Sequence, residues 1–173
     1  ATSSSAIGIT VSAVEDGPQL VANSITVTEG NTPSAVTLQT SHLQVTDAES
    51  GANDLTYSLV SLPSDGTLRV NGATATLTTT FTQADIDSGR VTYTHNGAEN
   101  TTDSLTFNVT DGAAQKLGDT TFTINVTAVN DPLVEVSVAD TVVIEGQAVT
   151  IGTVNLDHSD VDTADSSLVY TVT

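Results

Sequence analysis

Two stretches of this sequence close a run of alternating apolar and polar residues with acid or amide side chains just ahead of a proline. One is VSAVEDGPQLV (Val11 to Val21), carrying Glu15 and Asp16; the other is VTAVNDPLVEV (Val126 to Val136), carrying Asn130 and Asp131. Oxygen is the donor these side chains offer, and oxygen donors in a forgiving geometry suit a hard divalent cation. Further on, Asp160-Val161-Asp162 sets two carboxylates two residues apart, close enough to reach one ion from a loop or from one face of a strand. Asn130 adds an amide oxygen, and Pro132 stiffens the exit. These residues therefore read as a hinge that holds a metal ion. The competing reading is solvated turns, which Asp and Asn favour in any setting. One acid alone supports the turn; recurrence at equivalent places supports the metal.

The overall charge sharpens the choice. Twenty-one Asp and Glu face only three Lys and Arg, a formal charge of −18, so clustered carboxylates have few side-chain cations to offset their repulsion. The same sign excludes nucleic acid, whose phosphates need Lys and Arg, and disfavours an anionic membrane surface. With no cysteine there is no disulfide, thiolate metal site or thiol nucleophile; metal ions can serve such chains as staples instead. His42, His95 and His158 share no ligand spacing, so zinc is not expected. Ser, His and Asp are present but none sits in a nucleophile turn, so no enzyme is expected. No run of 18 apolar residues occurs, which argues against direct membrane insertion. The opening ATSSSAIGI has no charged or hydrophobic leader pattern, and the chain reads as a piece of something longer.

The elements that must position these acids repeat. Ile9 to Asp16 (ITVSAVED) matches Ile124 to Asp131 (INVTAVND), an offset of 124 − 9 = 115; Glu29 matches Glu145 at 116, and Tyr57 matches Tyr170 at 113. The reading is a last strand of one module in residues 1–16, a complete module in 17–131 and the first part of another in 132–173. Within the complete module the hydrophobic period is two, as in ITVT, LTYSLV, RVTYTH, LTFNVT and TFTINVTAV. Glu29-Gly30-Asn31, Pro63-Ser64-Asp65-Gly66, Asn71-Gly72, Asn96-Gly97 and Asp111-Gly112 punctuate the strands. Asn71-Gly72 predicts a tight hairpin. Only Thr82 to Gly89 breaks the pattern; Thr82 with Asp85 predicts a capping box, one helical turn and Ile86 pointing inward. Many short strands predict an all-β fold, an antiparallel β-sandwich.

FTQADIDSGRVTYTHNG, then DSLTFNVTDG, then INVTAVNDP resembles the cadherin-like module of the chondroitin sulfate proteoglycan repeat type, found in tandem in large bacterial surface and secreted proteins. The resemblance implies a cadherin- or immunoglobulin-like sandwich that serves as an extracellular adhesion or spacer repeat. It also implies calcium at the junctions between modules. Carried onto this chain, the ligands at the second junction are Glu29, Glu99 or Asp103, Asn130, Asp131, Asp160 and Asp162. At the first junction they are Glu15, Asp16, Asp47 and Glu49. Asp111-Gly112 stays open between ligand and turn.

The expected function is thus a non-enzymatic, calcium-stiffened extender or adhesive stalk, secreted or on a bacterial cell surface, whose partners are neighbouring repeats of its own chain. The alternative is direct binding of surface glycans or of like molecules on another cell. Glycan sites present aromatic platforms; Tyr57, Tyr93, Phe81, Phe107 and Phe122 all lie in or beside strand patterns, where core packing explains them better. Exposure of Tyr57 and Tyr93 on one face would favour the alternative.

Overall fold

The computed structural model describes residues 7–11, 14–30, 35–152, 156–163 and 167–170. The strands are β1 (Gln19–Thr28), β2 (Val36–Thr37), β3 (Leu43–Thr46), β4 (Thr56–Ser61), β5 (Gly66–Val70), β6 (Ala73–Thr74) and β7 (Thr80–Thr82). After the short helix α1 (Gln83–Asp87) come β8 (Val91–His95), β9 (Thr102–Thr110), β10 (Lys116–Thr127), β11 (Val134–Val138) and β12 (Leu156–Ser159). One sheet has the order β3-β1-β10-β9-β4-β7 and a second β2-β8-β5-β6. Their inner faces share one core, so the expected β-sandwich is what forms.

The two-residue period builds that core directly. β9 buries Asp103, Leu105, Phe107 and Val109 and leaves Ser104 in water; β8 buries Val91, Tyr93 and His95. Each buried Leu, Val or Phe contributes about 1.5–3 kcal/mol, and a one-residue slip would turn a whole row out to solvent. Tyr57 stacks on Phe81 with ring centroids 4.9 Å apart and tilts against Phe107 at 5.3 Å. The five aromatic side chains of the module are all buried, Tyr57 and Tyr93 completely. No aromatic platform is left on its surface for a glycan.

The local expectations hold. Asn71 (φ 51°) and Gly72 (φ 81°) make the tight turn that pairs Val70 with Ala73. Thr82 caps α1: its hydroxyl accepts from the Asp85 N–H at 3.2 Å, and the Asp85 carboxylate accepts from the Thr82 N–H at 2.9 Å. Ile86 points inward, and Arg90 pairs locally with Asp85 at 3.2 Å. The short strands β3 and β7 do not stand out as long periodic runs: β3 buries Leu43 and Val45, β7 only Phe81, and pairing with β1 and β4 defines them.

β1 changes partners along its length. Its first half pairs antiparallel with β3, and its second half runs parallel to β10, from Ser24↔Thr123 to Thr28↔Thr127. The antiparallel half recurs in the next segment. β11 pairs with β12 as Val134↔Ser159, Glu135↔His158, Ser137↔Asp157 and Val138↔Leu156, the register of Gln19↔Thr46, Leu20↔Val45, Ala22↔Gln44 and Asn23↔Leu43, with the irregularity at the same place. Residues 7–11 and 14–18 form no strand, and Ile7, Ile9 and Val11 are exposed. The closing strand expected there has no described sheet to join.

Candidate metal centre

Glu29 follows β1 and extends the parallel ladder, its N–H donating to the Thr127 carbonyl at 2.8 Å. Its side chain is 7% exposed. Oε2 accepts from the Val129 N–H at 3.0 Å, while Oε1 is buried and has no donor. Glu99, in the loop between β8 and β9, has its carboxyl pushed up to about 7. Partial loss of surrounding water raises it first, then the nearby charges of Asp162 and Glu29. Because the Glu99 side chain is itself exposed, the repulsion is the firmer cause. Ionised carboxylates only accept. Three of them, from the end of β1, the β8–β9 loop and the loop after β12, can meet only around a proton or a cation.

Backbone donors set the approach of the third. The Asp131 N–H donates to Asp162 Oδ2 at 2.5 Å, tying the linker to the next segment. Asp160 Oδ1 accepts from the N–H groups of Asp162 (2.9 Å) and Thr163 (2.7 Å), a local turn that Asp favours. Asn130 uses its amide Nδ2 on the Asp131 carbonyl at 2.8 Å.

The first junction repeats this clasp. The Asp16 N–H donates to Glu49 Oε2 at 3.4 Å, as Asp131 does to Asp162. Asp47 Oδ1 accepts from the N–H groups of Glu49 (2.9 Å) and Ser50 (2.7 Å), as Asp160 does one repeat later. Asp47 Oδ2 is buried with no donor. Glu15 is exposed beside the linker. Asp111 is 7% exposed; Oδ1 closes its turn by accepting from Ala113 and Gln115 N–H at 2.9 and 2.8 Å, and Oδ2 is buried without a donor.

Asp103 has other work. Oδ1 accepts from Ser64 N–H (3.0 Å), Ser64 hydroxyl (3.4 Å) and Ser104 N–H (2.7 Å), and Oδ2 from Asp65 N–H (3.2 Å) and Tyr93 hydroxyl (2.8 Å). It lies inward on β9 and fastens the Pro63–Gly66 turn to the core. Of the two acids that the sequence offered for one place, Glu99 carries the electrostatic influence of Glu29 and Asp162, while Asp103 is taken up by the turn and Tyr93.

The donor set is all oxygen, which fits calcium and offers nothing that zinc prefers. Buried acceptor atoms without donors on Glu29 and Asp47 fit a cation at each junction. Among the described residues, no three acidic or histidine side chains stand ready-made in coordinating geometry, so the carboxylates are neighbours and not a finished cage. Sequence reasoning had no access to the backbone donors from Val129 and Thr163, which carry no side-chain signal.

Residues 18–127 match the Cadherin-like family model. The chain is 47% identical over 73 residues to the FRAS1-related extracellular matrix protein 1 of Homo sapiens, covering 42% of this chain and 3% of that protein. It is 30% identical over 138 residues to extracellular matrix protein 3 of Lytechinus variegatus (76% of this chain, 4% of the relative). With chondroitin sulfate proteoglycan 4 of Homo sapiens it shares 34% identity over 94 residues (53% and 4%). The chain thus spans a small fraction of the length of each relative. The family match runs over 127 − 18 + 1 = 110 of the 173 residues, and the chain belongs to the Cadherin-like family.

Proposed function

We propose that the chain is a calcium-stiffened extracellular repeat, an extender or adhesive stalk segment of a large surface protein, with no enzymatic role. One observation carries the reading: Glu29, held to the linker by the Val129 N–H on Oε2, has its Oε1 buried without a donor, with the charges of Glu99 and Asp162 nearby. Glu29, Glu99, Asp131, Asp160 and Asp162, with the linker amide of Asn130, would hold the ion at the second junction. Asp16, Asp47 and Glu49, with Glu15 nearby, would hold it at the first. A bound calcium ion supplies the positive charge that turns their repulsion into a clamp between successive modules. The chain's own groups prepare the place. Val129 N–H orients Glu29, the Asp160 turn presents Asp162, and Asp131 N–H keeps Asp162 against the linker.

The extracellular setting draws support from relatives that are extracellular matrix proteins by name. The bacterial surface setting rests on the sequence resemblance alone. Neighbouring repeats are the first partners; of the alternatives, the glycan version loses its aromatic platform to the core.

The test is thermal melting and small-angle scattering in calcium and in chelator. Calcium should raise the melting midpoint and narrow the spread of shapes, and an unchanged midpoint and shape would remove the mechanism. Replacing Asp160 and Asp162 together by Ala should loosen the second hinge and leave residues 18–127 folded. Loss of that module would mean the ligands lie elsewhere.

A further inference from the structure

The hairpin turn at Asn71-Gly72 has chemistry of its own. Both residues are exposed, and a side chain added at Gly72 would meet nothing within 4 Å. The Asn71 N–H is held by the Arg90 carbonyl at 2.9 Å, but neither the Asn71 side chain nor the Gly72 N–H has a hydrogen-bond partner among the described residues. The second Asn-Gly pair differs. Asn96 Oδ1 accepts from the Ala98 N–H at 2.9 Å, and the Gly97 N–H donates to His95 Nδ1 at 3.2 Å. The attacking N–H is held there, and it is free at Asn71.

We propose that Asn71-Gly72 is a site of spontaneous deamidation, whose only co-reactants are hydroxide and water. The Gly72 nitrogen, after losing its proton to hydroxide, attacks the Asn71 side-chain carbonyl carbon. The new N–Cγ bond closes a five-membered imide, the Cγ–Nδ2 bond breaks, and the departing nitrogen takes up a proton as ammonia. Water then opens the imide at either carbonyl, leaving aspartate or isoaspartate. The glycine matters because a side chain would crowd the attacking nitrogen, and the turn's exposure matters because water must reach it.

The product changes the hairpin. A carboxylate arises next to Arg69, whose Nη1 already donates to the Gly72 carbonyl at 3.1 Å. The isoaspartate form also lengthens the backbone inside a turn joined by only two pairs, Arg69↔Thr74 and Val70↔Ala73. The modified turn should loosen β6 while the Ala75 N–H to Leu68 carbonyl bond (2.9 Å) still anchors its far end.

The intact chain, incubated at mildly alkaline pH and warmth, tests this by mass spectrometry of tryptic peptides. Cleavage after Arg69, Arg90 and Lys116 places Asn71 as the only asparagine on peptide 70–90, while peptide 91–116 carries Asn96 with Asn100 and Asn108, which fragment ions tell apart. Asn71 should convert faster than Asn96 by roughly 5-fold, the rate factor for first breaking the one ordinary hydrogen bond that holds the attacking Gly97 N–H. In strong denaturant the two rates should converge, because both are then free Asn-Gly pairs. Equal native rates, faster conversion at Asn96, or an unmodified peptide 70–90 would each overturn the proposal. An undiminished difference in denaturant would overturn the structural cause assigned to it. Substituting Asn71→Ala should abolish conversion on peptide 70–90 and leave 91–116 unaffected.

Discussion

Replacing Glu29 by Gln separates a ligand from a structural acid, because the two roles predict opposite signs. Without calcium, Glu29 is one of three mutually repelling carboxylates, and its Oε1 lacks a donor. The Gln side chain keeps an acceptor for the Val129 N–H, removes one negative charge and brings two donors. In chelator the melting point should therefore stay level or rise. In calcium the variant should lose what the ion contributes. For a site with a dissociation constant near 10⁻⁴ M, of the order seen in extracellular modules, about 1 mM calcium stabilises by roughly 1.4 kcal/mol. A tenfold weaker site would give roughly 0.4 kcal/mol under the same conditions. The 110 residues of the family match carry an unfolding entropy of about 0.23 kcal/mol/K, so the calcium-dependent rise should fall from about 6 °C to about 2 °C. Scanning calorimetry of both proteins in calcium and in chelator reads all four midpoints. An equal calcium increment in the variant, or an equal loss of stability with and without the ion, would refute Glu29 as a ligand.

Three further outcomes follow from the fold. Asp103→Ala leaves Tyr93 hydroxyl and the Ser64, Asp65 and Ser104 N–H groups without their acceptor; the loss should be about 3–5 kcal/mol in urea unfolding, as for breaking a buried charged network, and calcium should not change it. Tyr57 is pushed up by burial, and Tyr93 by burial and then by its hydrogen bond to Asp103. Their contribution is present in full below the unfolded value near pH 10 and is lost as pH rises towards the folded values, so phenolate absorbance from these two should appear only with unfolding. Thr82→Ala removes the α1 cap at a cost of about 1 kcal/mol. Asp85, held below its ordinary value chiefly by the Thr82 N–H, should weaken that cap as pH falls through its lowered value, read as a loss of stability in acid in wild type and variant alike, since alanine keeps that N–H.

Where a residue's role was local, the sequence carried it. Thr82 and Asp85 announce the cap, Asn71-Gly72 the turn, and the alternation in β8 and β9 the burial of Tyr93 and Phe107. Asp103 was legible in the same way, since it shares the inward phase of Leu105, Phe107 and Val109. Its carboxylate is taken up by the Pro63–Gly66 turn and by the Tyr93 hydroxyl, as that phase implies. Glu99 lies in a loop with no phase to read, and only the folding of β8 and β9 brings it to Glu29. The donor-free oxygens of Glu29, Asp47 and Asp111 were out of reach for a further reason. Whether a carboxylate is satisfied depends on backbone N–H groups whose positions no side-chain pattern encodes.

The matched clasps bear on why so acidic a chain carries so few cations. In each, a linker N–H binds the second acid of a pair whose first acid closes its own turn: Asp16 with Glu49 and Asp47, Asp131 with Asp162 and Asp160. Lysine or arginine partners could have neutralised these acids singly within each module. Pairing of that kind would leave every module content alone and would do nothing for the angle between two of them. Acids left unneutralised at the ends of modules repel until something shared lies between them, so their balance is a property of the junction. Under the proposed calcium bridge, the acids left unneutralised at the junctions would couple neighbours. Two of the three cations sit elsewhere, Arg90 on Asp85 and Arg69 on the Gly72 carbonyl, where each serves one module only.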